Sequence, residues 1–491
     1  MNMDKPLRRV AIFALLLIFG LMAQVNYVQG SQAEDLRTDA NNPRLYADIF
    51  KTPRGQISAG GEVLVSSKEI DDEEYGRFYK DGAVFFPVTG YFQGGSTQVE
   101  RAYSGLLSGD DSRIKNQRWF DTFIGKSAEG ADLELSIDTD AQRTAYERLK
   151  QATSPGRRGG AVVMDVETGA LKVAASWPSA DPNQFANDPR NEKSGERLEQ
   201  LNEGDGVQKP LVDNALSQTF PPGSSFKILM SALGMSELGL DGSSNQDTSK
   251  LVLPESGQTL PNSHEGGACG SSAPLRAAFI ESCNTSFGRM ALELTIEKVN
   301  EGGKKFGFGE RVEIEPDFFA AQSAIPVSHL NEQGEEVKTG QDATARSGIG
   351  QQNVTSTPLQ MAMVAAAVAN DGVIMNPYVV EKGLAQDQSE VYSADPSEYK
   401  KAMSEDQAKE LQDWMRGVVT EGTATNLQGM NIAGKTGTAE QGEGIPNARW
   451  FVGFSPVDDP KYAFAVMTEG PGGGANGAGP VAGAIMRQVL K

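Results

Sequence analysis

Ser224 and Lys227 stand three residues apart in Pro221-Pro222-Gly223-Ser224-Ser225-Phe226-Lys227, and this spacing can do chemistry. The segment continues through Ile228-Leu229-Met230 and small or apolar residues to Leu238, with Gly239 as a stop, which predicts a buried helix opened by Ser224. Side chains at i and i+3 share a helical face, so the lysine stem can reach the serine hydroxyl. A serine hydroxyl is a poor nucleophile until a neighbour takes its proton, and a lysine can do so when burial or a nearby cation lowers its pKa. A helix N-terminus would also steady developing negative charge. The pair points to serine acyl transfer with a lysine base. An isolated Ser-x-x-Lys is common by chance, so it gains weight only from company. Two later clusters supply that company: Ser282-Cys283-Asn284, and Gly434-Lys435-Thr436-Gly437-Thr438.

Elements must bring these three pieces together. The stretch from Ala277 to Leu294 reads as helical with a break at Ser282-Cys283-Asn284, which would point a hydroxyl and an amide into a cleft. Leu133–Ile137 alternates as a strand and Asp138–Leu149 follows as an amphipathic helix. Ala161–Val166 and Leu171–Ala175, joined by Glu167-Thr168-Gly169-Ala170, predict a hairpin. Thr357-Pro358 suits the start of a helix, and Leu359–Ala369 is apolar enough to be core. Strands are expected over Met430–Glu440, Arg449–Phe454 and Tyr462–Met467 as antiparallel neighbours, and a last helix over Val481–Leu490. Residues 178–210 and 240–272 read as surface excursions.

The whole chain sets the limits. Its 491 residues, 38% apolar, allow two to four domains, and a net charge of −20 argues against nucleic acid as a partner. A Ser-His-Asp triad would have to use His264 or His329, the two histidines of the chain. Zinc held by these histidines with Cys269 and Cys283 is disfavoured, because no close cysteine pair exists, and no metal is expected. Lys5, Arg8 and Arg9 precede an apolar run from Val10 to Ala23 that Gln24–Val28 extends. This predicts a single membrane anchor with its basic flank in the cytoplasm; cleavage near Ser31-Gln32-Ala33 is the competing reading. The chain then divides into four parts: a cytoplasmic tail (1–9), a transmembrane anchor (10–28), an N-terminal pedestal or dimerisation-type module (29–150) and a catalytic domain (151–491), both modules extracytoplasmic. The pedestal reads as short strands, including Gly61–Val65 and Ala83–Phe86, and carries no chemical constellation.

With the three motifs in this order, the chain resembles the class B penicillin-binding proteins, single-span D,D-transpeptidases that cross-link peptidoglycan. Asn42-Pro43-Arg44-Leu45, Arg54-Gly55-Gln56-Ile57, Gly95, Glu100 and Gly109 match the N-terminal module. Trp177-Pro178, Asp181-Pro182-Asn183, Gly348-Ile349-Gly350-Gln351, Gly422-Thr423-Ala424 and Trp450-Phe451-Val452-Gly453 match the catalytic domain. The resemblance implies an α+β fold: a serine β-lactamase/transpeptidase-like domain, with an antiparallel sheet and helices on both sides, beside a small β-rich pedestal. It implies that Ser224 attacks the penultimate D-Ala carbonyl of a stem peptide while Lys227 takes its proton. Ser282 would relay a proton to the departing D-Ala, and Asn284 would hold the substrate amide and Lys227. Lys435 would lend positive charge, Thr436 and Thr438 would bind the terminal carboxylate, and Gly437 would let a substrate strand lie close. The N–H groups of Ser224 and Thr438 would form the oxyanion hole. No cofactor is implied. The implied partners are stem peptides, β-lactams, the cytoplasmic membrane and a glycosyltransferase complex of division or elongation. Cys283 can close a disulfide with Cys269 in an oxidising compartment, the alternative being two buried, unlinked thiols.

Other classes compete. Gly429-x-x-x-x-Gly434-Lys435-Thr436 matches a nucleotide-binding loop letter for letter, but Gly437 to Gly444 and Pro446 read as strand end and loop, not as the helix that such a loop must enter. A D,D-carboxypeptidase, a β-lactamase or a non-catalytic β-lactam-binding scaffold or sensor would keep the same three motifs. The long N-terminal module weighs against a compact β-lactamase. A bifunctional class A enzyme would need a histidine in its glycosyltransferase part, and the first here is His264.

Overall fold

The computed structural model describes residues 4–31, 50–71, 74–117, 130–188, 193–204, 208–331 and 333–491. Asn42-Pro43-Arg44-Leu45 and Gln32-Ala33 lie outside these residues. The N-terminal helix spans Asp4–Ser31, and its Arg8–Val28 portion is long and apolar enough to cross a membrane, with no part of it buried against the rest of the chain.

The N-terminal module is built on a six-stranded sheet. Its strands run in the order Glu390–Ser393, Val380–Leu384, Asp132–Leu135, Ile57–Ala59, Glu62–Asp71 and Glu74–Tyr79. All neighbours are antiparallel except Ile57–Ala59 with Asp132–Leu135. Two of the six strands therefore come from beyond residue 379, so the module is completed by the far end of the chain. The predicted strand at Ala83–Phe86 is a helix, Gly82–Thr89. A short apolar run buried on nearly every side has no period to distinguish strand from helix, and here the helix forms despite Pro87 within it.

The C-terminal region is organised on a five-stranded antiparallel sheet, in the order Ala433–Ala439, Ala448–Ser455, Tyr462–Glu469, Gly159–Asp165 and Leu171–Trp177. Every residue of Ala448–Ser455 is buried, as a strand covered on both faces must be. Pro358–Ala369, capped by the Thr357 hydroxyl with Pro358 in its first turn and buried throughout, packs against this sheet. So do Thr139–Ala152 and Ala478–Val489, which also pack on each other. The first of these opens at an Asp138 cap, whose side chain accepts from Ala141 N–H. The sequence division at 150/151 assigns this helix to the pedestal, yet it lies on the five-stranded sheet. Amphipathicity announces a helix but does not say which sheet its apolar face will meet.

Candidate active site

The approach to the nucleophile is pinned before any helix begins. Phe220 and Ser356 exchange backbone hydrogen bonds of 2.9 and 2.8 Å, Trp450 Nε1 donates to the Pro221 carbonyl at 2.9 Å, and Gly223 N–H donates to the Gly350 carbonyl at 2.8 Å. Gly223–Phe226 then form one 3-10 turn, and the α-helix runs from Lys227 to Leu238. Ser224 thus sits in the tight turn ahead of the helix rather than opening it, a correction to the sequence expectation. Two prolines without N–H donors and Gly223 at φ 55° set that turn. The chain then lies directly against the strand Ala433–Ala439. A Cβ on Gly437 would come within 2.7 Å of the Pro222 carbonyl oxygen, so the approach requires glycine there.

Lys227 is fully buried while Ser224 stays half-exposed. The Lys227 ammonium donates to the Ser282 carbonyl at 2.8 Å and to Asn284 Oδ1 at 2.8 Å, and lies 3.2 Å from Ser282 Oγ. Its contacts are with the second motif; the expected direct hydrogen bond to Ser224 is not made among the described residues. The break predicted in the middle helix is present between Leu275–Ile280 and Asn284–Leu294. Ser282 sits in it at φ 63°, a left-handed conformation that a serine adopts only where its surroundings hold it.

Lys435 lies on the central run of the strand Ala433–Ala439, opposite Val452, and is completely buried. Its ammonium donates to the Thr436 carbonyl at 3.3 Å and faces the Phe279 ring, 5.6 Å from the centroid. Thr438 is exposed on the same strand, and Thr436 and Gly437 are buried. Residues Ser224, Ser282, Asn284, Thr436, Gly437 and Thr438 line one cleft of about 310 Å³. A second cleft of about 300 Å³, beside Leu292, Thr295 and Thr344, has no such nucleophile and base, so chemistry rather than size selects the site.

Burial is the main force on both lysines. It holds the Lys227 ammonium well below the usual lysine range, with the nearby positive charge of Lys435 adding to the effect. It pushes Lys435 down to about 7. A neutral Lys227 has two N–H donors and one lone pair. The Ser282 carbonyl and Asn284 Oδ1 can take the donors, which leaves the lone pair to receive a hydroxyl proton.

Cys269 and Cys283 form a disulfide with Cα atoms 5.2 Å apart. Both sulfurs being bonded, neither offers a thiolate to the neighbouring His264 and Glu281 as a metal ligand. His264 Nε2 instead lies 3.2 Å from Glu281 Oε2 at the rim of the cleft, and His329 lies on the separate Ser328–Leu330 strand. Thr423 also lines the cleft, its hydroxyl 2.7 Å from that of Thr436. Nothing in the spacing marks Thr423 as a site residue; its one signal is the family-like triplet that contains it. The 470–479 loop contributes Gly473 to Asn476 to the cleft wall.

Comparison with known proteins agrees with this geometry. A penicillin binding protein transpeptidase domain model matches residues 159–491, and a penicillin binding protein A dimerisation domain model matches residues 54–133. The chain is 34% identical to the peptidoglycan D,D-transpeptidase PbpA of Mycolicibacterium smegmatis, over all of this chain and 99% of that protein. It is 30% identical to the PbpA of Mycobacterium tuberculosis with the same coverage. Among solved structures, penicillin-binding protein A from M. tuberculosis as an imipenem acyl-enzyme superposes with a TM-score of 0.80 at 30% identity, covering 90% of this chain and 100% of that one. Its penicillin G acyl-enzyme gives 0.79 with the same identity and coverage. A buried lysine reaching a second-motif serine and asparagine beside a cationic strand, together with these matches across both modules, establishes that the chain belongs to the penicillin-binding protein transpeptidases.

Proposed function

We propose that this protein is a peptidoglycan D,D-transpeptidase that works through a Ser224 acyl-enzyme and is acylated at the same residue by β-lactams. The observation that carries the reading is the single cleft shared by Ser224, the Lys227-Ser282-Asn284 network and the strand bearing Lys435 and Thr438. Ser224 Oγ attacks the penultimate D-Ala carbonyl and its proton passes to neutral Lys227. The tetrahedral oxyanion is held by the N–H groups of Ser224 and Thr438, a fixed donor pair of the kind whose loss costs about two to three orders of magnitude in rate. The C–N bond to the terminal D-Ala breaks as the leaving amine takes a proton relayed through Ser282. Asn284 orients the stem peptide, and Lys435, Thr436 and Thr438 receive its carboxylate beside Gly437. An amine of a second stem then attacks the ester, forms the cross-link and returns the proton to Ser224. A β-lactam presents the same carbonyl, but its ring-opened amine stays tethered, so the ester persists.

The N-terminal helix serves as an uncleaved single-pass anchor with residues 29–150 and 151–491 on the extracytoplasmic side, a reading supported by its length and basic flank. A glycosyltransferase complex of division or elongation in the same membrane is the partner that supplies the glycan strands in this reading. Labelled penicillin followed by peptide mapping tests the core of this reading: the adduct falls on Ser224 and Ser224→Ala carries none. Incubation with stem-peptide substrate then separates cross-linked dimer from released D-Ala; D-Ala without dimer would make the enzyme a carboxypeptidase.

A further inference from the structure

We infer that Asn262 is a positioning residue for the acylation step, holding the Ser282–Asn284 element in register with Lys227; this rests on the acyl-transfer reading of the cleft. The helix Asn284–Leu294 begins without help from its own cap, since Cys283 contributes no side-chain hydrogen bond. Its first two N–H groups, those of Asn284 and Thr285, instead donate to Asn262 Oδ1 at 2.7 and 3.0 Å. Asn262 therefore caps a helix that starts 22 residues downstream. Its other half is equally committed: Nδ2 donates to the Thr248 and Cys269 carbonyls, both at 3.0 Å. One amide thus meets two N–H donors and two carbonyls, which uses its full capacity.

The preceding residue sets the orientation of the working amide. Asn284 Nδ2 donates to the Pro261 carbonyl at 2.9 Å. A carbonyl can only accept, so Asn284 must present Oδ1 to Lys227, where it lies at 2.8 Å. Pro261 thereby fixes which end of Asn284 faces the base, and Asn262 fixes where the element sits. The Cys269–Cys283 disulfide crosses the same gap but joins rotatable side chains and does not choose an amide orientation. The charged groups near Lys227 are Lys435 on the strand and, at the cleft rim, Glu281 paired with His264. None of these touches Asn262 in the described hydrogen bonds.

The test measures the second-order acylation of the full chain by a fluorescent penicillin across the pH range in which Lys227 titrates, alongside thermal unfolding. Asn262→Ala should slow acylation about tenfold or more, the factor that about 1.4 kcal/mol of misplacement makes. It should also move the acidic limb of the profile to higher pH, because a loosened second motif admits water to the base. Asn262→Asp keeps an oxygen toward Asn284 and Thr285 but loses both donors, and should fall between wild type and Asn262→Ala; it also decides the matter if the alanine variant does not fold. Asn370→Ala is the structural control. That amide donates to the Val166 and Val373 carbonyls at 2.8 and 3.3 Å, and its loss should lower the Tm without moving the limb. The inference is overturned if the Asn262 variants keep the wild-type rate and limb, or lose rate only in step with Tm as Asn370→Ala does. A wild-type chain that forms no Ser224 adduct would instead sink the acyl-transfer reading beneath it.

Discussion

Two of the places where the molecule buries charge treat it in opposite ways. In the N-terminal module Glu100 is wholly buried between two arginines. Its Oε2 accepts from Arg54 Nη2 at 2.9 Å and Nε at 3.1 Å, its Oε1 accepts from Arg77 Nε at 2.6 Å, and Arg77 Nη1 also donates to the Gly55 carbonyl at 2.8 Å. Arg54 further lies 4.0 Å above the Phe92 ring. In the cleft, Lys227 and Lys435 are just as buried, yet among the described residues neither has a carboxylate partner. A buried arginine paired with a carboxylate acts as structure, for burial lowers the Arg54 pKa but a guanidinium does not give up its proton in a protein. A buried cation facing carbonyls, amides and another cation is driven toward its neutral form, which is what a base requires.

That contrast can be broken from either side. The largest effect is expected for Lys227→Arg, which keeps a cation but cannot deprotonate: penicillin acylation should fall by about two to four orders of magnitude while the Tm changes little by comparison. Rapid acylation by this variant would show that the lysine is not the base. Glu100→Gln should do the reverse. Two buried guanidinium groups would lose their counterion at a cost of about 3–5 kcal/mol, read as a lower denaturation midpoint, while the folded fraction acylates normally. Next comes Cys283→Ala, which frees a loop of about 15 residues and should cost about 3 kcal/mol. Reduced wild type should match its stability. The smallest effect sharpens the electrostatic half of the comparison. Acylation rises with pH as Lys227 gives up its proton, and Lys435→Met removes a charge that depresses Lys227, so the acidic limb should move to higher pH. Lys435 releases its proton near 7 when folded but holds it to about 10.4 when unfolded. The unfolded chain therefore binds more protons in that window, the native state gains stability as pH rises through it, and Lys435→Met should flatten this dependence.

Most of the site was legible because its parts are local. Ser224 and Lys227 are three residues apart, Ser282 and Asn284 flank one cysteine, and Lys435 to Thr438 are contiguous, so residue type and spacing announce each cluster. The strand–turn–strand pattern around Gly169 and the Thr357-Pro358 helix start are equally local, and both are present. What escaped depends on distant partners. Leu133 and Leu135 alternate as a strand should, but no local signal says that they pair with Ile57 and Ala59 on one side and with Gly383 and Val380 on the other. Ala83–Phe86 read as strand because a short apolar run, buried over most of its length, shows no period that separates strand from helix. Pro261-Asn262, inside a Gly- and Ser-rich stretch, looks like any turn until folding lays it against Asn284. Thr423 acquires meaning only once its hydroxyl meets that of Thr436.

The interleaved sheet limits how the chain can be divided. Val380–Leu384 and Glu390–Ser393 are late in sequence, yet the former hydrogen-bonds to Asp132–Leu135, which precedes the transpeptidase match at residue 159. A fragment cut at that boundary would therefore expose the unpaired edge of Val380–Leu384, a ready template for self-association. Soluble preparations should keep residues 32–491 and discard only the N-terminal helix, and a load applied to the pedestal would be carried by strand hydrogen bonds into the enzyme body rather than by a linker.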